Sequence, residues 1–198
     1  MKSYFQLDAQ RLGLIRNNLN RVLTLLILVF WGVTLHYALT TGYGRDVFTV
    51  IWFAFMVAIY GLTEIVEIFD ERKWAKIGLF LAAIGLANVL LIHYVVNFDT
   101  LYLLKIGFAD DWEYAFATIL VVIMLWWVWR EYGLVFPMFA LLVLFFAWQG
   151  QYFPYPLQHS GLAWERILNA AFLNYEGLIG SITTLIATWV SLFMMYAG

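Results

Sequence analysis

Long uncharged stretches alternate along this chain with short polar connectors. Val22 to Gly44 contains no Asp, Glu, Lys or Arg, and the same holds for Ile77 to Phe98 and Gly177 to Gly198. Val47 to Thr63 is another such run, continued to Phe69 by the segment IVEIF. Tyr114 to Trp129 follows and ends in the aromatic cluster WWVW. One more stretch runs from Gly133 to Tyr152 and stops before FPYP. At about 1.5 Å per residue, roughly 20 apolar residues cross a hydrocarbon core of about 30 Å. In lipid each segment must satisfy its own backbone hydrogen bonds, which makes these runs helices and not open sheet. The pattern predicts an all-α, polytopic integral membrane protein with six transmembrane helices.

Composition agrees. The chain is 64% hydrophobic and only 12% charged, whereas soluble domains are about 45–50% apolar and about 25% charged. The net charge of −2 says little; where the charges sit says more. Lys2, Arg11, Arg16 and Arg21 precede the first run, Arg72, Lys73 and Lys76 lie between the second and third, and Arg130 between the fourth and fifth. The alternate connectors hold only Arg45, Lys105 and Arg166. Positive residues mark the cytoplasmic side, so both termini are expected there. The opposite connectors are acidic, with Asp99, Asp110, Asp111 and Glu113 around Lys105. No basic face exists to neutralise phosphates, which excludes nucleic acid as a partner. The absence of cysteine excludes disulfides, thiolate metal sites and a cysteine nucleophile.

Two segments read as amphipathic helices lying at the membrane surface. LDAQRLGLIRNNLNR, before the first span, would turn Leu12, Ile15 and Leu19 toward lipid; a basic tail is the alternative. The first apolar run is too long for a signal-peptide core and lacks a small-residue cleavage pattern. The second segment, 162–176, follows Pro154 and Pro156, which stop the preceding helix. Trp164, Ile167, Leu168, Ala171, Phe172 and Tyr175 would share one face, opposite Glu165, Asn169 and Glu176. It is too short and too charged to span, and reads either as a plain connector or as a docking surface.

Polar residues within spans are functional candidates. Glu64 and Glu67, three apart, share a helical face near the cytoplasmic end. They would reach the interface or pair with Arg72, Arg130 or a neighbouring subunit; a proton relay is the sharper alternative. Asn88 lies among small residues in LAAIGLANVL, a pattern for close helix contact with one interhelical hydrogen bond. His36 and His93 fall at equal depth on helices that run the same way, as a bis-histidine haem would require. The plainer reading puts both in an aromatic belt beside Tyr37 and Tyr94. His159 reads as a solvated loop residue. Asp111 or Glu113 would cap the fourth helix through its dipole, and Asp110, Asp111, Trp112 and Glu113 could also form a docking rim. No nucleophile–base set or phosphate loop stands out, so neither enzymatic activity nor ATP hydrolysis is expected of this chain.

One region carries a resemblance. Arg130 ends a helix, an apolar span then runs into the turn Gly150 to Pro156, and Gly161, the Glu165–Arg166 pair, and Glu176, Gly177 and Gly180 follow at the start of a small-residue-rich helix. This resembles the permeases of TRAP (tripartite ATP-independent periplasmic) transporters, in particular the fused four-plus-twelve-helix type that works with TAXI-class binding proteins. The resemblance implies a cytoplasmic interfacial segment at 1–20, a four-helix small-subunit-like domain at 21–131, and two further helices at 132–198. The family's permeases continue through about ten more helices that hold the substrate and cation sites. By resemblance, this chain would be a non-catalytic scaffold in a bacterial or archaeal inner membrane, with no cofactor or metal of its own. Its partners would be a separate large permease subunit, a periplasmic TAXI-class protein delivering a small organic acid, and lipid. Asp110, Asp111, Trp112, Glu113, Glu165 and Arg166 would face the binding protein. Glu64, Glu67, Asn88 and Arg130 would make contacts between subunits.

Overall fold

The computed structural model describes residues 2–40, 42, 44–69, 73–97, 100, 108–173, 177 and 180–197, with side chains from Gly13 onward except at 172 and 173. Among these residues there is no strand. The long helices are α1 (Lys2–Thr40), α2 (Arg45–Phe69), α3 (Trp74–Val96), α4 (Asp111–Tyr132) and α5 (Val135–Gln149). A single tight turn, Gly150–Tyr152, extends α5. The short helix α6 (Trp164–Leu168) runs on into a π-helical turn at Asn169–Leu173. The last helical stretch is α7 (Ser181–Leu185), a π-helical turn at Ile186–Val190, and α8 (Ser191–Ala197).

Five helices are long and apolar enough to cross a bilayer: Gly13–Thr40 within α1, α2, α3, α4, and α5 with its extension to Tyr152. The sixth expected span is shorter, Ser181–Ala197. Many large apolar side chains on these helices point outward, among them Leu25, Val89 and Phe139, the last 68% exposed. Water would not tolerate so continuous an apolar exterior, and hydrocarbon does.

The surface helix expected before the first span is not a separate element. α1 is one helix of 39 residues, about 58 Å at the standard rise and nearly twice a hydrocarbon core. Arg11, Arg16 and Arg21 interrupt the hydropathy but not the helix. No proline occurs in this range, and the isolated Gly13 and Gly32 touch nothing that would bend it.

The chain divides into two compact units, Met1–Ile92 with Ile186–Gly198, and His93–Leu185. The division expected at 131/132 falls inside the second unit, where α4 and α5 form a hairpin around Gly133. That residue has φ 75° and donates its N–H to Trp129 O at 3.0 Å. Such a backbone conformation favours glycine, which stops α4 and turns the chain at once.

In the first unit α1 and α2 pack through aromatic rings. Tyr37 stacks on Phe48 at 3.9 Å, and Phe30 meets Trp52 and Phe55 at 6.2 and 5.9 Å between ring centroids. From Ile186 onward the terminal helical stretch joins this hairpin with its small residues buried, Ala187 and Ser191. The Trp52 indole N–H donates to Ser191 Oγ at 2.8 Å, and that hydroxyl donates to Ile186 O at 3.0 Å. Gly61 on α2 lies against the side chain of Ile84 on α3, where a Cβ would collide with it. The core of the second unit is Ala117, Val121 and Leu168, with Tyr114, Leu125, Leu144 and Trp164 around it.

Several polar side chains in the long helices are satisfied locally. Thr34, Thr49, Thr63 and Thr118 each donate to the carbonyl four residues back at 2.9 Å. Asn88 does the same to Ile84 O at 2.9 Å. One N–H of Asn88 is thus satisfied within its own helix, where an interhelical bond was expected.

Candidate functional site

The second unit gathers its polar side chains around the first turns of α4. Asp110 has the extended backbone of an N-cap, and Glu113, at the third helical position, reaches back to accept from the Asp110 N–H at 2.7 Å. This is the reciprocal half of a capping box, for which the sequence Asp-x-x-Glu is a signature. The other oxygen of Glu113 accepts from His93 Nε2–H at 2.9 Å. Asn97 Nδ2 donates to His93 Nδ1 at 3.0 Å and to His93 O at 3.1 Å. With Nδ1 accepting, the proton of the neutral ring sits on Nε2, where the carboxylate receives it. Trp112 covers the pair edge-on, its ring centroid 4.5 Å from that of His93. Glu113 itself is only 1% exposed. A buried carboxylate needs such compensation, and here both oxygens have it.

A second strand of the network ties α6 to the same end of α4. Asn169 Nδ2 donates to the Tyr114 hydroxyl at 2.8 Å, and that hydroxyl accepts from the Ala109 N–H at 3.1 Å. Trp164 Nε1–H donates to Thr118 Oγ1 at 3.2 Å.

The 150–162 turn is built around His159, which is half-buried and not a solvated loop residue. Its Nε2–H donates to Phe146 O at 3.0 Å, and its Nδ1 accepts from the Gly161 N–H at 3.1 Å. Its own N–H donates to Gly150 O at 3.2 Å, while the Leu162 N–H donates to Ala147 O at 2.9 Å. The last carbonyls of a helix have no partner within it, and here the following loop supplies the donors for α5. Both glycines are required by this closure. A Cβ on Gly150 would strike the His159 ring, and Gly161, at φ 72°, would put one 2.7 Å from Trp148 O. The outward side of the turn carries Tyr152 and Tyr155, the latter 91% exposed.

The residues singled out in the sequence fall into distinct settings. Asp110 and Asp111 are exposed at the start of α4, and Trp112 is 42% exposed beside them. Glu113 belongs to the interior and is not part of an accessible rim, because capping and His93 draw it inward. Glu165 and Arg166 are exposed on α6. Glu64 is buried, while Glu67, one turn on, is exposed. Arg130 is exposed in the last turn of α4. For the haem alternative, His93 Nε2 carries the proton given to Glu113 and Nδ1 accepts from Asn97, so no ring lone pair is free for iron in this arrangement. His36 Nδ1 lies 3.4 Å from Thr40 Oγ1. Among the described residues no three His, Asp or Glu side chains gather as metal ligands.

The fold defines a multi-pass helical membrane protein. No protein-family model matches the chain, and no curated protein or solved structure matches it.

Proposed function

We propose that this chain is a non-catalytic membrane scaffold of a TRAP-type secondary importer. A separate large subunit would carry the moving, cation-coupled transport machinery. A periplasmic TAXI-class protein would deliver a small organic acid to the surface of the assembly. The observation that carries this reading is the union of two sequence-distant stretches at one end of the second unit. The hydrogen bonds Trp164 to Thr118 and Asn169 to Tyr114 bind α6 to the first turns of α4. The exposed charges Asp110 and Asp111 and the exposed pair Glu165–Arg166 thereby belong to one braced surface. Fixed rims of mixed charge steer encounter and set register. The glycines at 150 and 161, which carry part of the resemblance, are also those that the 150–162 turn requires.

Co-purification tests the reading. From its native membrane in a mild detergent, the tagged chain should elute with a large multi-helix protein. Reconstituted alone into vesicles, it should accumulate no organic acid. Elution as a lone chain, or uptake by that lone chain, would overturn the assignment.

A further inference from the structure

We infer that the cleft between α4 and α5 is a binding site for one acyl chain of a bilayer phospholipid. The inference rests only on α4 and α5 lying in a bilayer, and it holds whether or not the chain serves a transporter. The cleft has a volume of about 210 Å³ and is walled by Val121 and Leu125 of α4, Leu144 and Phe145 of α5, and the indoles of Trp148 and Trp164. Apolar cavities of about 150 Å³ already admit a benzene ring.

Three features select the occupant. The first is polarity. The one hydroxyl in the lining, that of Thr118, donates to Tyr114 O and accepts from Trp164 Nε1–H. Water would find too few partners there, so the site suits hydrocarbon. The second is the shape of the wall. Helices that dock in membranes meet through runs of Gly, Ala, Ser or Thr, and the only one of these in the lining is Thr118, whose hydroxyl is already bonded. A gap between large side chains suits a thin, flexible chain and not another helix. The third is continuity with the lipid-facing exterior. Val122, Leu141, Phe145 and Trp148 all border the cleft and are exposed on its open side. The site runs from Thr118 to Leu125, about 10 to 21 Å along α4 from its first residue. In a hydrocarbon core of about 30 Å, that depth is level with the middle and terminal methylenes of a lipid tail. Since lipid tails are as apolar as the wall, contact dispersion and shape, not expulsion of water, would hold the chain.

The test uses the full chain in phosphatidylcholine nanodiscs containing a phosphatidylcholine with a mid-chain diazirine. After photolysis, adducts on peptides 118–125 and 141–148 should exceed severalfold those on the exposed face of α3 at Leu79 and Val89. Leu144→Trp, which fills the cleft, should reduce the excess to the α3 level. Val122→Trp, at an exposed position with room for the larger ring, should do the same by closing the mouth, and it covers the case in which the interior substitution fails to fold. Equal labelling of cleft and α3 would overturn the site, as would an excess that survives whichever variants fold. A partner polypeptide in the cleft would show itself in native membranes as diminished lipid adducts and a protein cross-link from a photoreactive residue at Phe145, and would equally overturn it.

Discussion

Glu113 and His93 stand 20 residues apart in sequence, and their side chains meet at 2.9 Å. The contact fastens the end of α3 to the start of α4, and the same carboxylate caps α4 through the Asp110 N–H. Glu113→Ala takes this acceptor from two donors in a partly buried place. Each such loss costs about 1–3 kcal/mol, so a fall of several degrees in the detergent melting temperature is expected. Glu113→Gln keeps an acceptor for one of the two donors and should be milder. In a double-mutant cycle with His93→Ala, the coupling energy should be on the order of 1 kcal/mol. A coupling of zero would show that the two side chains act independently.

Gly161 and His159 of the 150–162 closure, with Gly133 for comparison, make a graded set of substitutions. Gly161→Ala meets both a positive φ and Trp148 O, and should cost more than about 2 kcal/mol. Gly133→Ala has the positive φ alone, with nothing within 4 Å of the added Cβ, and should cost about 1–3 kcal/mol. His159→Ala removes the donor to Phe146 O and the acceptor for Gly161 N–H. It should loosen 150–162, read as faster limited proteolysis at the exposed Tyr152 and Tyr155. Unchanged cleavage would mean that the turn holds without the imidazole.

Much of this was legible before the structure. Uninterrupted hydropathy locates α2, α3, α4 and α5 within a few residues, because a helix in lipid has no other way to satisfy its backbone. The Asp-x-x-Glu pattern before an apolar run marks the start of α4. What hydropathy could not carry was α1 as one helix, since Arg11, Arg16 and Arg21 change polarity but not helical propensity. His93 reads from the sequence as a haem ligand or an aromatic-belt residue near the end of a span, not as a partner of Glu113. Its partner lies beyond a long connector that gives no periodic cue. His159 was misread because its role depends on carbonyls of α5, which belong to the fold and not to the local sequence. Asn88 reads as a contact between helices, and the hydropathy gives no sign that the Ile84 carbonyl four residues back takes one of its hydrogens.

Gly61 and Ile84 give a reciprocal test of the α2–α3 contact. A methyl group on Gly61 collides with the Ile84 side chain, so Gly61→Ala should lower thermal stability despite its better helix propensity, a gain of about 1 kcal/mol in isolation. Ile84→Ala alone opens a space and should also destabilise. The double substitution should recover part of the loss, because the added methyl fills part of the vacated volume. Strictly additive losses would mean that the two side chains do not share this space.

The docking surface is tested by charge at positions that leave the fold alone. Asp110 is the N-cap of α4, so reversing it would confound docking with capping, worth about 0.5–2 kcal/mol. Asp111 and Glu165 are exposed and carry no such duty. Asp111→Lys should cost the helix dipole only about 0.3–1 kcal/mol, and Glu165→Lys about as little. Both should leave membrane abundance unchanged while lowering binding-protein-dependent uptake severalfold. The defect should appear mainly in the association rate and should shrink as salt rises past the screening range, about 8 Å at 0.15 M. Uptake equal to the parent protein in both variants, at low salt, would remove this end of the second unit as the docking surface.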